Sequence, residues 1–319
     1  MAQAVTSKSV LASRAAIQAA RAARQRRLYG SARTPWLLLL PAFVAMGAVS
    51  LYPIANGLWL SLRNTSLVTQ ENDFVGLANY VSLWGDDLFW NAWYHTLWFT
   101  FASTTLEVVI GLLMALLLVE AFALRGLVRA AMLVPWALPT VVTSKMFGWL
   151  FDGEHGVVNW ALTGIGLIPH NINWYGSVEH AMTTIIIADV WKTAPFIALL
   201  LLAGLQTIPA SLTEAARIDG ASAWQAFWHV RLPMLSGTLM IAGMFRALDA
   251  FRIFDLVYVL TGGGPADSTE TLSTLSYKTL FSTLQFGYGS ALSTAMFATE
   301  AVIAVVFMLM IRARLRRLA

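Results

Sequence analysis

A chain of 319 residues that is 58% hydrophobic and only 12% charged is not built for water. Soluble domains carry about 25% charged residues, and a mean hydropathy of +0.65 points to the bilayer instead. The absence of cysteine excludes thiolate metal sites, disulfides and a cysteine nucleophile, while the net charge of +4 does not mark a nucleic-acid surface, because the 21 Lys and Arg are sorted along the chain.

Residues 1–35 hold Lys8, Arg14, Arg21, Arg24, Arg26, Arg27 and Arg33, with no acid before Glu71. An acid-free, Arg-rich start also occurs in organellar transit peptides. Here a long apolar segment follows at once, and orientation in a membrane explains the charge better, so the segment reads as a basic cytoplasmic tail. The first span, over 36–62, is too long for the apolar region of a cleaved signal peptide. Five further segments long and apolar enough to cross follow near 94–119, 130–151, 182–205, 235–260 and 288–311. Pro135 and Pro139 inside the third predict a broken or kinked helix.

Six spans place both termini on one side, with a short basic tail at 313–319. Fifteen of the 21 basic residues then fall on that side, and only Arg63 and Lys278 on the other. The Lys/Arg bias orients the chain with both termini cytoplasmic. The opposite loops, near 63–93, 152–181 and 261–287, are rich in aromatic residues. Trp84, Trp90, Trp93, Trp149, Trp160 and Trp174 read as an interfacial belt.

Between the fourth and fifth spans lies the loop 206–233, QTIPASLTEAARIDGASAWQAFWHVRLP, which is too orderly for a linker. Ser211-x-x-Glu214 reads as a capping box that starts a short helix after Pro209. Gly220 stands where that helix needs a residue tolerant of positive φ. Ser222-x-x-Gln225 offers a second capping box, and Pro233 is expected to stop the second helix. Ala215, Ala216 and Ala221 allow close approach, so the predicted object is a compact helical knob suited to a groove on another protein.

No G-x-x-x-x-G-K-[ST] occurs, so the chain has no P-loop of its own. The five histidines are scattered singly and propose no metal site, and Gly262-Gly263-Gly264-Pro265 reads as a turn. The remaining signal is charge inside the spans. Arg246, Asp249, Arg252 and Asp255 follow one another at i,i+3 in the fifth, and Asp189 and Lys192 do so in the fourth, spacings at which neighbours can pair. Glu107, Lys145 and Glu300 stand alone in the second, third and sixth. Each such charge costs about 2.5–3.5 kcal/mol at bilayer depth, so these residues either pair between helices or line a polar pathway.

Glu214-Ala215-Ala216, Asp219-Gly220 and Val230-x-Leu232-Pro233 together resemble the EAA loop of binding-protein-dependent ABC importer permeases. In that family the loop enters a cleft of a cytoplasmic ATPase, which implies a coupling role for Glu214, Ala215, Ala216, Asp219, Gly220, Leu232 and Pro233. The stretch from Phe251 through Phe254, Asp255 and Tyr258 to Pro265 is similar to the signature of maltose-F-type subunits of carbohydrate importers, whose F-x-x-F residues line the sugar site. Asp189-Val-Trp-Lys192-Thr-Ala-Pro and Leu248-Asp249-Ala-Phe251 resemble trehalose/maltose-type members most. The resemblance implies an all-α integral membrane protein with six transmembrane helices, a type I ABC importer transmembrane domain spanning 90–312, in a bacterial inner membrane. It implies a non-catalytic permease subunit for a disaccharide such as trehalose or maltose. Expected partners are a second permease of the EAA type, two ATP-binding cassette subunits that hold ATP and Mg, and an extracytoplasmic sugar-binding protein. Asp189, Lys192, Asp249, Arg252, Phe254, Asp255 and Tyr258 are the candidate substrate-path residues. No cofactor is expected in this chain. A secondary transporter or channel for a small polar solute is the alternative, and the EAA pattern argues against it.

Overall fold

The computed structural model describes residues 34–120 and 122–318, so most of the basic tail expected over 1–35 lies outside the described residues. The chain divides at Gly57 into two units. The first holds most of the helix Trp36–Ser61. That helix widens into a π turn at Gly47–Leu51, just ahead of Pro53, whose missing N–H and bulky ring would otherwise collide with the preceding turn.

The second unit contains the helices Asp87–Val119, Ala181–Gln206, Ala223–Phe251 and Phe286–Arg314, each long and apolar enough to cross a membrane. A broken pair, Arg125–Ala137 and Thr140–Leu150, is bent by 92°. The break falls at Leu138 and Pro139, both extended, because the proline ring bars the helical conformation to the residue before it. With that pair counted as one span there are six, as the apolar segments predict.

The second and fourth spans form the centre of the unit. Their backbones approach closely at Gly111, where a Cβ would meet Ile197 at 2.8 Å. Close approach through a small residue is how helices gain dispersion contacts where lipid offers no hydrophobic drive. Ala115, Leu118, Leu201, Leu205 and Leu235 fill the half nearest the 206–233 loop. Phe99, Phe147, Ile185, Ala250 and Val257 fill the middle.

At the end of the bundle opposite the 206–233 loop, the connections are short folded pieces rather than slack chain. Arg63–Thr65 and Asn72–Phe74 pair as an antiparallel hairpin. Buried Asn159 donates to the carbonyls of Gly153 and Ile172 at 3.0 Å and accepts from Trp174 at 2.9 Å. In the same loop the backbone N–H groups of His155 and Glu154 hold the Asp152 carboxyl below its usual range. The stretch after the fifth span is tied to the second span, with Leu272 N–H donating to Thr96 Oγ1 at 2.9 Å and Asn91 donating to the Asp267 carbonyl at 2.8 Å. The tryptophans divide. Trp84, Trp149 and Trp160 present open faces, while Trp93 and Trp174 are half-buried and donate to Thr299 and Asn159, and Trp90 packs edge-on against both Trp84 and Trp93 at 4.9 and 5.7 Å.

The fifth span departs from the expectation of one helix over 235–260. It starts earlier, at Ala223, and ends at Phe251. Arg252, Ile253 and Phe254 break the helix, and a new short helix runs over Asp255–Leu260. Arg246, Asp249, Arg252 and Asp255 therefore do not share one helix. Apolar sequence is continuous across the break, so hydropathy alone carries no mark of it.

Candidate functional site

The 206–233 loop forms a helix, a glycine turn and a second helix. The first helix covers Ala210–Ile218 with Pro209 as its cap, not Ser211. The Ser211–Glu214 capping box does not form, because Pro209 already supplies the extended entry residue and places Ser211 inside the first turn. The turn is a Schellman motif: Ala221 N–H donates to the Ala216 carbonyl at 2.9 Å and Gly220 N–H to that of Arg217 at 3.1 Å. Gly220 has φ +85°, which this motif requires. The capping box of Ser222 and Gln225 is present.

Pro233 does not stop the second helix. A π turn over Phe227–Arg231 widens the backbone ahead of the proline, and the helix continues unbroken into the fifth span. Glu214, Ala215, Asp219 and Gly220 are exposed, Ala216, Leu232 and Pro233 half-buried, and Ile218 at the tip is 86% exposed.

Deep in the bundle one guanidinium gathers three carboxylates from three spans. Arg246 donates through Nε to Glu107, through Nη2 to Asp189 and through Nη1 to Asp249, the last at 2.8 Å. Glu107, Asp189 and Arg246 are all buried, whereas the Asp249 side chain is 67% exposed. Thr193 also donates to Glu107. The pairing expected between Asp189 and Lys192 does not occur, since Arg246 reaches Asp189 from the facing span. Arg246 does pair with Asp249 at i,i+3, but Arg252 turns to Glu300 of the sixth span at 3.5 Å.

This node forms one wall of a cavity of about 180 Å³ lined by Thr140, Asp189, Lys192, Thr193, Arg246, Asp249 and Arg252, with Ile253 to Leu256 completing it. That is room for about six waters. Six of the seven candidate substrate-path residues thus meet around one space: Asp189, Lys192, Asp249, Arg252, Phe254 and Asp255. Tyr258 does not line it but stacks on Phe254 at 5.1 Å, and Tyr277 and Phe281 extend the same row. Lys192 and Asp255 make no ion pair among the described residues. Sequence reading missed Thr140 and Thr193. The first follows Pro139 and is delivered by the bend of the third span, and hydroxyls this common carry no signal of their own.

Residues 107–319 match the family described as binding-protein-dependent transport system inner membrane component. The chain is 39% identical over 280 residues to the trehalose/maltose transport system permease protein MalF of Thermococcus litoralis, covering 88% of this chain and 94% of that one. It is 42% identical over 276 residues to the trehalose transport system permease protein SugA of Mycobacterium tuberculosis, covering 86% and 87%. A third relative, at 37% identity over 279 residues, is the sulfoquinovosyl glycerol transport system permease protein SmoG of Agrobacterium fabrum, covering 87% and 90%. Among solved structures, a bacterial ABC transporter involved in the import of the acidic polysaccharide alginate has the same fold, with a TM-score of 0.77 at 23% identity, covering 90% of this chain and 99% of that one. Permease subunits of this kind are non-catalytic parts of a transporter. The chain belongs to the family of binding-protein-dependent transport system inner membrane components.

Proposed function

We propose that this chain is one of two permease subunits of an ATP-driven importer for a disaccharide of the trehalose or maltose type. The cavity carries this reading: charged side chains from the fourth span and from the fifth span and the break that follows it, with the Thr140 hydroxyl from the third, surround a space at bilayer depth and border a row of stacked aromatic rings. Carbohydrate offers hydroxyls for charge-assisted hydrogen bonds and apolar ring faces for aromatic walls, and the cavity offers both counterparts. Asp189 belongs to the buried node and supports the wall, whereas Lys192, Asp249, Arg252 and Asp255 supply the polar contacts. Phe254 and Tyr258 supply the stacking face. The alginate importer, the acidic-polysaccharide transporter of the same fold, has been solved with a substrate-bound periplasmic protein, and a binding protein of that kind is proposed to deliver sugar here.

The helical knob at 210–226 is the coupling element. Docked in a partner ATPase that holds ATP and Mg, it moves with ATPase closure. The loaded binding protein and ATP both favour the outward-facing state, each by its own differential affinity, so together they open the cavity outward. Hydrolysis returns it to the inward-facing state.

Lys192 and Asp255 test the cavity cleanly, because neither strands an ion-pair partner when neutralised. Lys192→Gln and Asp255→Asn are each expected to assemble and to raise the half-saturation of sugar import by about tenfold to a hundredfold, the loss of one charge-assisted hydrogen bond. Import by both variants at the wild-type rate and half-saturation places the substrate path elsewhere.

Orientation is checked in the same chain, which has no native cysteine. A cysteine at Ala223, one residue past the Ser222 cap, is expected to resist an impermeant thiol reagent added to intact cells and to react once the membrane is opened. Labelling from outside reverses the topology.

A further inference from the structure

The four arginines of the C-terminal end, Arg312, Arg314, Arg316 and Arg317, read in sequence as orienting charge alone. One of them does something specific. Arg314 is half-buried, and its Nε donates to Ser236 Oγ at 3.1 Å while its Nη2 donates to the Pro233 carbonyl at 3.3 Å. Ser236 Oγ itself donates to that carbonyl at 2.6 Å. Arg312 and Arg316 are exposed and make no side-chain hydrogen bond among the described residues.

The point gripped is mechanically distinctive. Pro233 sits just beyond the π turn Phe227–Arg231, the one place where the coupling knob and the fifth span are joined by a widened, weaker turn of helix. A π turn preceding a proline is a natural flexing point, since a regular i→i−4 bond is missing there. Motion of the knob reaches this turn first. Left alone, the turn would bend and absorb it. With Arg314 fastened just past it, displacement of the fifth span carries the sixth span along. The sixth span in turn holds Glu300, which pairs with Arg252 at the rim of the cavity. A chain of named contacts therefore runs from the knob, through Pro233, Ser236 and Arg314, along the sixth span to the cavity.

We infer that Arg314 is a positioning residue that transmits knob motion to the sixth span, and that its forked guanidinium, not merely its charge, is needed. The inference rests on the coupling role proposed for the 206–233 loop. A lysine keeps the orienting charge but cannot hold the serine hydroxyl and the proline carbonyl in one fixed geometry.

The test uses the assembled transporter with its ATPase and binding protein in vesicles, and reads sugar imported per ATP hydrolysed. Arg314→Ala and Arg314→Lys are both expected to lower that ratio by about tenfold, the scale of one lost charge-assisted bond, while ATP hydrolysis continues. Ser236→Ala removes one of the two contacts and is expected to give a smaller loss in the same direction. Arg316→Ala is expected to match the wild type. Should Arg314→Ala fail to assemble, Arg314→Lys and Ser236→Ala decide. A wild-type ratio in Arg314→Lys reduces the residue to an orienting charge and overturns the inference, as does a wild-type ratio in Ser236→Ala together with Arg314→Ala. Gly220→Val, measured alongside, separates the two levels. If it uncouples and the Arg314 variants do not, only the role of Arg314 falls. If it leaves import intact, the coupling role of the loop falls with it.

Discussion

Replacing Arg246 by methionine is expected to destabilise the folded protein by about 3–5 kcal/mol, the cost of stranding buried charge, and to remove most of it from the membrane. The expectation follows from the node. Glu107 and Asp189 are buried from two different spans, and both depend on the same guanidinium. Removing it leaves two carboxylates facing each other at bilayer depth without a counter-charge. Neutralising all three, as Glu107→Gln, Asp189→Asn and Arg246→Gln, is expected to recover most of the abundance, because no net charge is then buried. Thermal unfolding in detergent and membrane abundance measure both variants. An Arg246→Met protein as stable as the wild type means the node does not hold the three spans together. Asp249 is the exception within it: its side chain is largely exposed to the cavity, so Asp249→Asn is expected to spare stability and affect import.

Gly220→Val is expected to reduce sugar import and binding-protein-stimulated ATP hydrolysis by tenfold or more while insertion in the membrane is unaffected. The Gly220 backbone lies at φ +85°, where a β-branched residue is strained by about 1–2 kcal/mol. A Cβ there meets no atom of the described residues within 4 Å beyond its own chain neighbours, so crowding among them does not contribute. The expected effect instead comes from a turn that no longer closes in Schellman geometry and from added bulk on the exposed tip proposed to dock in the ATPase. Gly220→Asn, which tolerates the left-handed region, is expected to keep more activity than valine. A Gly220→Val complex with its ATPase bound and fully stimulated means that coupling runs through another element.

Much of this protein is legible one residue at a time. Six apolar segments declare six crossings because twenty residues of helix are what a bilayer demands. Pro139 announces the bend of the third span, since the residue before a proline avoids the helical conformation. Gly220 and the Ser222–Gln225 box specify the knob, because caps and positive-φ turns are satisfied within a few residues of chain.

Where sequence reading went astray, a competing local geometry or a distant partner won. Ser211 loses its capping role to Pro209, which caps the helix two residues earlier. Pro233 in sequence reads as a stop, but a single π turn absorbs a proline at the cost of one regular hydrogen bond. The i,i+3 charges suggest pairing along each helix, and Arg246 does pair so with Asp249. Glu107, 139 residues from Arg246 in sequence, and Asp189, 57 residues away, share the same guanidinium, and Asp189 is thereby taken from Lys192. Charge at bilayer depth pairs with whatever opposite charge the packing brings nearest, and spacing along one helix does not report what faces it across an interface. Sequence by itself determined the crossings, the bend, the helical knob at 210–226 and the list of charged residues inside the spans. Only the tertiary structure decided which charges are spent on one another and which remain turned toward the cavity, because ion pairing between spans depends on helix rotation and on close approach at Gly111, neither of which is encoded in any single segment.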